Sequence, residues 1–478
     1  MGEKGNVIPA MEKIQTTLAK NKLLDLFARE EAAITAHATP LVNRIRQHAL
    51  SRFSQKGFPS TKLENWRFSD LTPLLNTEFT FDFGNQSRSM DIEKLFTCDV
   101  YDLDTFSITL LNGWFVYKHA PLTRLDNGTI IGSLAKAMEL YPELVDQYFG
   151  KTAKTEEHEM SALNGSFVQD GLFIYVPEGV CMEKPVQLIN IVNAQQPVFL
   201  QPRHLIIAEK NACLTLVHCD HSLTHNVSFT NTVTEIFAAE KAVIDHYKIQ
   251  NKGRNSALVT NTYFHQKQSS KVTSNIITLN GGFTKNIVDV TLADPNAISE
   301  HYGLYLADSN QHVDNQLFID HMARDCYSNQ LYKGILDDEA KAVFSGKVMV
   351  RRQAQQTRAY QNNRNILLTD EAKVNTQPHL EIYADDVKCS HGATVGQLDP
   401  EAMFYLRSRG LCEKTARQLM MIAFASEVVQ KISIEPLRDR IHDLVEKRLK
   451  GELSICDQCV LHCNSKEPTT FNIDLSKL

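Results

Sequence analysis

Residues 380–396 read LEIYADDVKCSHGATVG. Leu380, Ile382 and Tyr383 have the apolar, β-favouring character of a strand leading in. Asp385 and Asp386 interrupt it and predict a turn. The run from Val387 to Gly392 follows; if it is extended, Cys389 and His391 fall two residues apart and share a face. A thiol beside an imidazole is half of a soft-to-borderline metal site, suited to iron or zinc. Two donors do not complete such a site, so further ligands must come from elsewhere. Cysteine is also a common buried apolar filler, and that is the structural alternative for Cys389. Gly392 lets the backbone turn or lets a partner come close.

The stretch sits at the end of a long region of one character. From about residue 165 to 398, short strand-like runs follow one another with no long helical segment between them. Val288, Val290 and Leu292 alternate with Asp289 and Thr291, and Leu214 and Leu216 flank Thr215. Ala208-Glu209-Lys210 is echoed by Ala239-Glu240-Lys241, and Glu339-Ala340-Lys341 by Glu371-Ala372-Lys373, at offsets of 31 and 32 residues. Such echoes suit stacked coils. The pattern by itself leaves solenoid, sandwich and barrel open.

Helical patterns flank this region. Apolar residues from Met11 to Leu50 recur at near-helical spacing, with Pro40 opening a second helix. Asn112-Gly113 between Ile108–Leu111 and Trp114–Val116 predicts a hairpin with a two-residue primed turn. One helix is expected from Ser133 to Phe149, stopped by Gly150. After the β region, Asp399 is an N-cap with Pro400 at the first helical position, and Gly410 closes that helix. Ala416, Leu419, Met420, Ala423, Phe424 and Val428 form one expected apolar face, and a last helix from Glu435 to Lys450 buries Leu437, Ile441, Leu444, Val445 and Leu449. The division is therefore 1–160 helical and mixed, 161–398 β core, 399–455 helical, and 456–478 a cysteine-containing tail.

The motifs in the order they occur resemble the SufB/SufD family, scaffold subunits of the Suf machinery for iron–sulfur cluster assembly. Gly57-Phe58-Pro59 with Lys62, Glu64, Trp66, Arg67 and Leu71 is similar to the family's N-terminal run. Ala162-Leu163-Asn164 leading to Gly171–Pro177 resembles its entry into the core. LEIYADDVKCSHGATVGQLD with Phe404–Gly410 resembles its C-terminal signature. The glycine after His391 is similar to the SufD branch and not to SufB, although a SufB-like sibling is the nearest alternative. The resemblance implies a mainly β fold: a right-handed parallel β-helix core between N- and C-terminal helical domains. It implies pairing with a SufB subunit, allows a homodimer in isolation, and implies a nascent iron–sulfur cluster shared at the interface with His391 a ligand; Cys389, on the same face, is a weaker candidate. It implies that the C-terminal helices dock the SufC ATPase and allows a flavin on the complex; Phe404, Tyr405, Arg407 and Arg409 are candidate contacts because aromatic and arginine side chains are typical interface anchors, against core packing for the aromatics and solvated charge for the arginines.

Other chemistry is missing from the sequence. Gly346-Lys347 lacks the glycine spacing and hydroxyl of a phosphate loop. His158-Glu159 has no histidine three residues on, and there is no G-x-S-x-G elbow. The expectation is a scaffold that catalyses nothing alone. A carbohydrate-active β-helix enzyme is the alternative of a different class, and it would need Asp337-Asp338 or Asp385-Asp386 to face a groove. A formal charge of −6 gives no pull toward nucleic acid or anionic membrane. With no secretory signal at its start, the chain is expected in the cytoplasm and its ten cysteines reduced. Cys456, Cys459, His462 and Cys463 match the ligand count of a tetrahedral zinc or iron site, against the alternative of a loose tail. His218, His221 and His225 do not share a face of a strand and are expected to be polar coil positions.

Overall fold

A computed structural model describes residues 4–36, 38–83, 88–89, 100, 103–117 and 119–451, with backbone alone for 4–13 and 88–89. Between residues 172 and 396 the chain winds as a parallel β-solenoid. The back sheet runs from Leu172–Val176 through Arg203–Ala208, Ser228–Ala238, Ser256–Gln266, Phe283–Leu292, His312–His321 and Lys341–Val350 to Lys373–Ile382. The front sheet runs from Val186–Val192 through Cys213–Ser222, Val243–Asn251, Lys271–Asn280, Ile298–Ala307, Tyr327–Leu336 and Arg358–Leu367 to Lys388–Gly396. Sequence neighbours lie in opposite sheets, so each strand pairs with the one a full coil away.

Corners and ladders explain why this sequence coils. Asn211, Lys241, Ser269, Asn296, Asp325 and Gln356 each take positive φ, one per coil at the same corner. The two sequence echoes are stacked corners. Ala239 donates its N–H to the Ala208 carbonyl at 2.9 Å, and Lys210 pairs with Glu240 at 2.8 Å. Inside, Ile206, Ile236, Phe264, Val290, Ile319 and their neighbours form the apolar filling of the solenoid.

The hairpin forms as expected, Phe106–Leu111 against Trp114–Tyr117, with positive φ at Asn112 and Gly113, and it extends the front sheet at its first end. Helices α1 (Lys4–Thr35) and α2 (Pro40–Lys56) precede the short α3 (Thr72–Leu75). The motif around Trp66 fastens this region to the back sheet. Lys285 donates to the Asn65 carbonyl at 2.8 Å, stacks over the Trp66 ring at 4.6 Å and pairs with Asp314, which also accepts from Ser69 at 2.5 Å.

Three expectations need correction. The helix expected over 133–149 is two, α4 (Leu134–Leu140) and α5 (Pro142–Tyr148): Pro142 has no N–H to continue the first and opens the second. Ahead of the solenoid, α6 (Glu159–Phe167) is entirely buried. The C-terminal helices are α7 (Pro400–Ser408), α8 (Glu413–Val429) and α9 (Glu435–Lys450). In α8 the buried stripe is Ala416, Met421, Ala425, Val428 and Val429, while Leu419 and Ala423 are exposed. The helix is apolar on more than one side, and the sheet selects a stripe that keeps Ala416 and Val428 of the expected face, with Phe424 at its margin, and adds Met421, Ala425 and Val429. Third, the cysteines are not all free: Cys181 and Cys213 stack on successive coils with Cα atoms 4.2 Å apart and are joined as a disulfide. Helix α9 matches its expected limits and core, and Gly451 takes the left-handed conformation that ends it.

Burial gives the solenoid an acid-sensitive interior. Burial lowers the pKa of His301 to about 3, and burial first among several influences lowers those of His158, His312 and His321 to about 4. These rings stay neutral in the native state where the unfolded chain, at about 6.5, takes up protons. Their contribution is complete above that value and is lost as pH falls toward 4. His301→Gln should lower the pH-dependence of unfolding free energy by about 1.4 kcal/mol per pH unit between about pH 5.5 and 4. Denaturant unfolding across that window checks this; an unchanged slope contradicts it.

Candidate functional site

The two final strands, Lys373–Ile382 and Lys388–Gly396, end their sheets. Among the described residues each has a solenoid neighbour on one side and no strand on the other, which leaves part of its backbone N–H and C=O groups facing outward at a sheet edge. Asp385 and Asp386 form the exposed corner between them: Gln356 N–H donates to the Asp386 carbonyl at 2.6 Å and the Gln355 side chain accepts from Asp386 N–H at 2.9 Å.

Register decides which way the site residues face. Cys389 lies beside Ala359 and His391 beside Gln361, both buried inside the preceding coil. Parallel partners share a face, so Cys389 and His391 belong to the inner face of the last coil, at the mouth of the solenoid. The predicted shared face is correct. His391 is exposed and reachable, while Cys389 is half-buried against Val348, Val350, Ala354, Ala359 and Ala384. Burial raises the Cys389 thiol above its ordinary pKa, partly opposed by the Ala359 backbone contact. A metal at Cys389 must therefore displace a proton.

Around these donors the end of the solenoid is apolar and open. Tyr383 is 60 % exposed, Val395 45 % and Ile382 41 %. Sequence reasoning took Ile382 and Tyr383 only as a lead-in strand and passed over Val395. The signal was available for Ile382, which continues the inner apolar row of Val350; Val395 lies beside buried Asn365, and Tyr383 follows at the corner. A Cβ at Gly392 would meet nothing within 4 Å, so its small size answers no need of this chain. Among the described residues no three His, Cys, Asp or Glu side chains converge as a metal site. The terminal coil carries one imidazole and one thiol.

The other candidates lie apart. Helix α7 buries none of its residues; Phe404 is 75 % exposed and Tyr405 58 %. Arg409 stacks over the Tyr405 ring at 5.2 Å, and Arg407 pairs with Glu413 at 3.5 Å. By contrast, α8 and α9 lie on the front sheet, where Lys333 donates to the Phe424 carbonyl at 3.0 Å and buried Arg448 to the Leu279 carbonyl at 2.6 Å. His218 and His221 are buried on opposite faces of one strand, and His225 is exposed in the following turn. Unforeseen was the charge around them: burial opposes it, yet His218 and Lys248 hold the Asp220 carboxyl below its usual range. Asp337-Asp338 and Asp385-Asp386 sit at separate corners. Cys456, Cys459, His462 and Cys463 lie outside the described residues.

The fold is a parallel β-solenoid whose terminal coil carries an imidazole and a thiol on one face. Two family descriptions match it, SufBD core domain of SUF-system FeS cluster assembly over residues 190–424 and SufBD protein N-terminal region over 17–188. The chain belongs to the SufBD family of iron–sulfur cluster assembly proteins. It is 29 % identical to a SufBD family protein of Synechocystis over 91 % of this chain and 97 % of that one. It is 28 % identical to the iron–sulfur cluster assembly protein SufD of Escherichia coli over 87 % of this chain and 95 % of that one. Identity to SufD of Bacillus subtilis is 27 %, over 86 % and 94 %. Among the described residues no helix is long and apolar enough to cross a membrane.

Thiol reactivity reports the geometry. Exposed Cys412 has its pKa lowered, first by its hydrogen bond with Thr415, whereas that of Cys389 is raised by burial. Iodoacetamide at pH 7.5 should alkylate Cys412 at least about tenfold faster than Cys389. Peptide mapping over time measures both; equal rates contradict this placement of Cys389.

Proposed function

We propose that this chain is a non-catalytic, cytoplasmic scaffold on which a nascent iron–sulfur cluster is received at an interface with a SufB-type subunit. The observation that carries the reading is the terminal coil, where His391 and Cys389 stand on the inner face of an uncovered, apolar solenoid mouth. The cluster is cargo. His391 supplies a neutral imidazole nitrogen and Cys389 a thiolate once its proton is displaced. The remaining ligands come from the chain that covers the coil. Free strand edges favour a partner that continues both sheets, and a second copy of this chain meets the same edges when it is alone.

The same proposal gives α7 to a SufC-type ATPase. A helix with no buried residue and two exposed aromatics beside arginines has the character of a protein-binding anchor. Because α8 follows it directly and packs on the front sheet, movement imposed on α7 reaches the solenoid through a buried apolar contact. ATP hydrolysis belongs to that partner.

Co-expression with SufB- and SufC-type subunits tests the reading. His391→Ala should leave complex assembly intact and lower bound iron and acid-labile sulfide several-fold. A fully loaded His391→Ala complex would remove the ligand role. In the same pull-down, Phe404→Ala with Tyr405→Ala should release the ATPase and keep the SufB-type subunit; retention of both would unseat the α7 assignment.

A further inference from the structure

The interior column that ends at His391 is polar. In register along the front sheet stand His246, Ser274, His301, Gln330, Gln361 and His391. All but the last are buried. Gln361 is the rung directly beside His391, with neighbouring strands about 4.8 Å apart. Its amide nitrogen donates to Gln330 Oε1 at 2.8 Å, and in this orientation its oxygen is left for another donor while Gln330 Nε2 is likewise without a partner among the described residues. It lies across the bore against Gly346, where a Cβ would overlap Gln361 Nε2. Gln361 is only 3 % exposed, and its Oε1 is buried with no hydrogen-bond partner among the described residues.

A buried acceptor without a donor is uncommon and calls for an explanation. The adjacent inner-face side chain is an imidazole. A metal-bound imidazole has one ring nitrogen on the metal and an N–H on the other, and that N–H is nearly always held by an acceptor in the surrounding protein. We propose that Gln361 is the positioning residue for His391. When the mouth of the solenoid is covered, the His391 ring turns onto Gln361 Oε1 and donates its N–H. The second ring nitrogen then presents its lone pair to the cluster in one fixed tautomer. Gln330 extends the support one coil deeper by accepting from Gln361. This assignment rests on the reading of His391 as a ligand.

The test uses the complex co-expressed with its SufB- and SufC-type partners and reads iron loss during challenge with excess EDTA. Gln361→Met keeps the length of the side chain and removes its acceptor; Gln361→Glu keeps an acceptor. Gln361→Met should assemble normally and lose iron about 10- to 100-fold faster than the parent. Gln361→Glu should restore a rate close to the parent's. A parental rate in Gln361→Met overturns the proposal, as does a Gln361→Glu variant as leaky as Gln361→Met. Failure of both variants to assemble makes Gln361 a packing residue and overturns it as well. The underlying reading fails separately: parental iron content and retention in His391→Ala would dismiss the ligand role itself. Loss in His391→Ala with none in Gln361→Met dismisses the positioning role alone.

Discussion

Every coil of this molecule depends on the coil beside it. A solenoid strand pairs its backbone groups with neighbours on both sides and hides its inward side chains under the next layer. An unmet buried backbone or side-chain polar group costs about 1–3 kcal/mol, so the pattern propagates until something else covers it. At the first end the hairpin and the short strand Ile130–Ser133 take that role. At the other end Lys373–Ile382 and Lys388–Gly396 have nothing beyond them in the described chain. That unfinished layer carries His391 and Cys389 on its inner side. Its exposed apolar residues and its two donors are the features on which the proposed pairing with a second chain rests.

The helical parts serve this arrangement. Lys285, held between Trp66, Asn65 and Asp314, pins the N-terminal region to the back sheet far from the open end. Arg448 and Lys333 fasten α8 and α9 to the front sheet, leaving α7 as the helix of that domain with no buried residue. Two uncovered surfaces result, the terminal coil and α7, joined by the front sheet. Gln361 belongs to the first of them, as the buried polar residue in register with His391.

How much of this could be read from residues alone depended on how local the cause was. Pro40, Asn112-Gly113 and Asp399-Pro400 set their turns and caps by their own backbone chemistry, and the expectation held at each. Pro142 is equally local and was passed over. The stripe buried by α8 was not local: several faces are apolar, and contact with the front sheet chose among them. The paired inward position of Cys389 and His391 followed from spacing, because alternation in a strand is fixed. The ladder behind His391 was illegible for the opposite reason. Gln330 and Gln361 are 31 residues apart in sequence, and only coil register brings their amides to 2.8 Å. The Cys181–Cys213 link is of the same kind, a contact between successive coils whose 32-residue separation matches the coil offset of the sequence echoes and was not used.

Amide hydrogen exchange tests most directly whether the last coil is completed by another chain. It should be followed over 373–382 and 388–396 in the dilute single chain and in the complex with its SufB-type partner. Completion of the layer predicts fast exchange at the outward amides of both strands in the single chain and strong protection of them in the complex, with coils further in unchanged. Equal exchange in the two states, in a complex shown to be intact, would contradict the account.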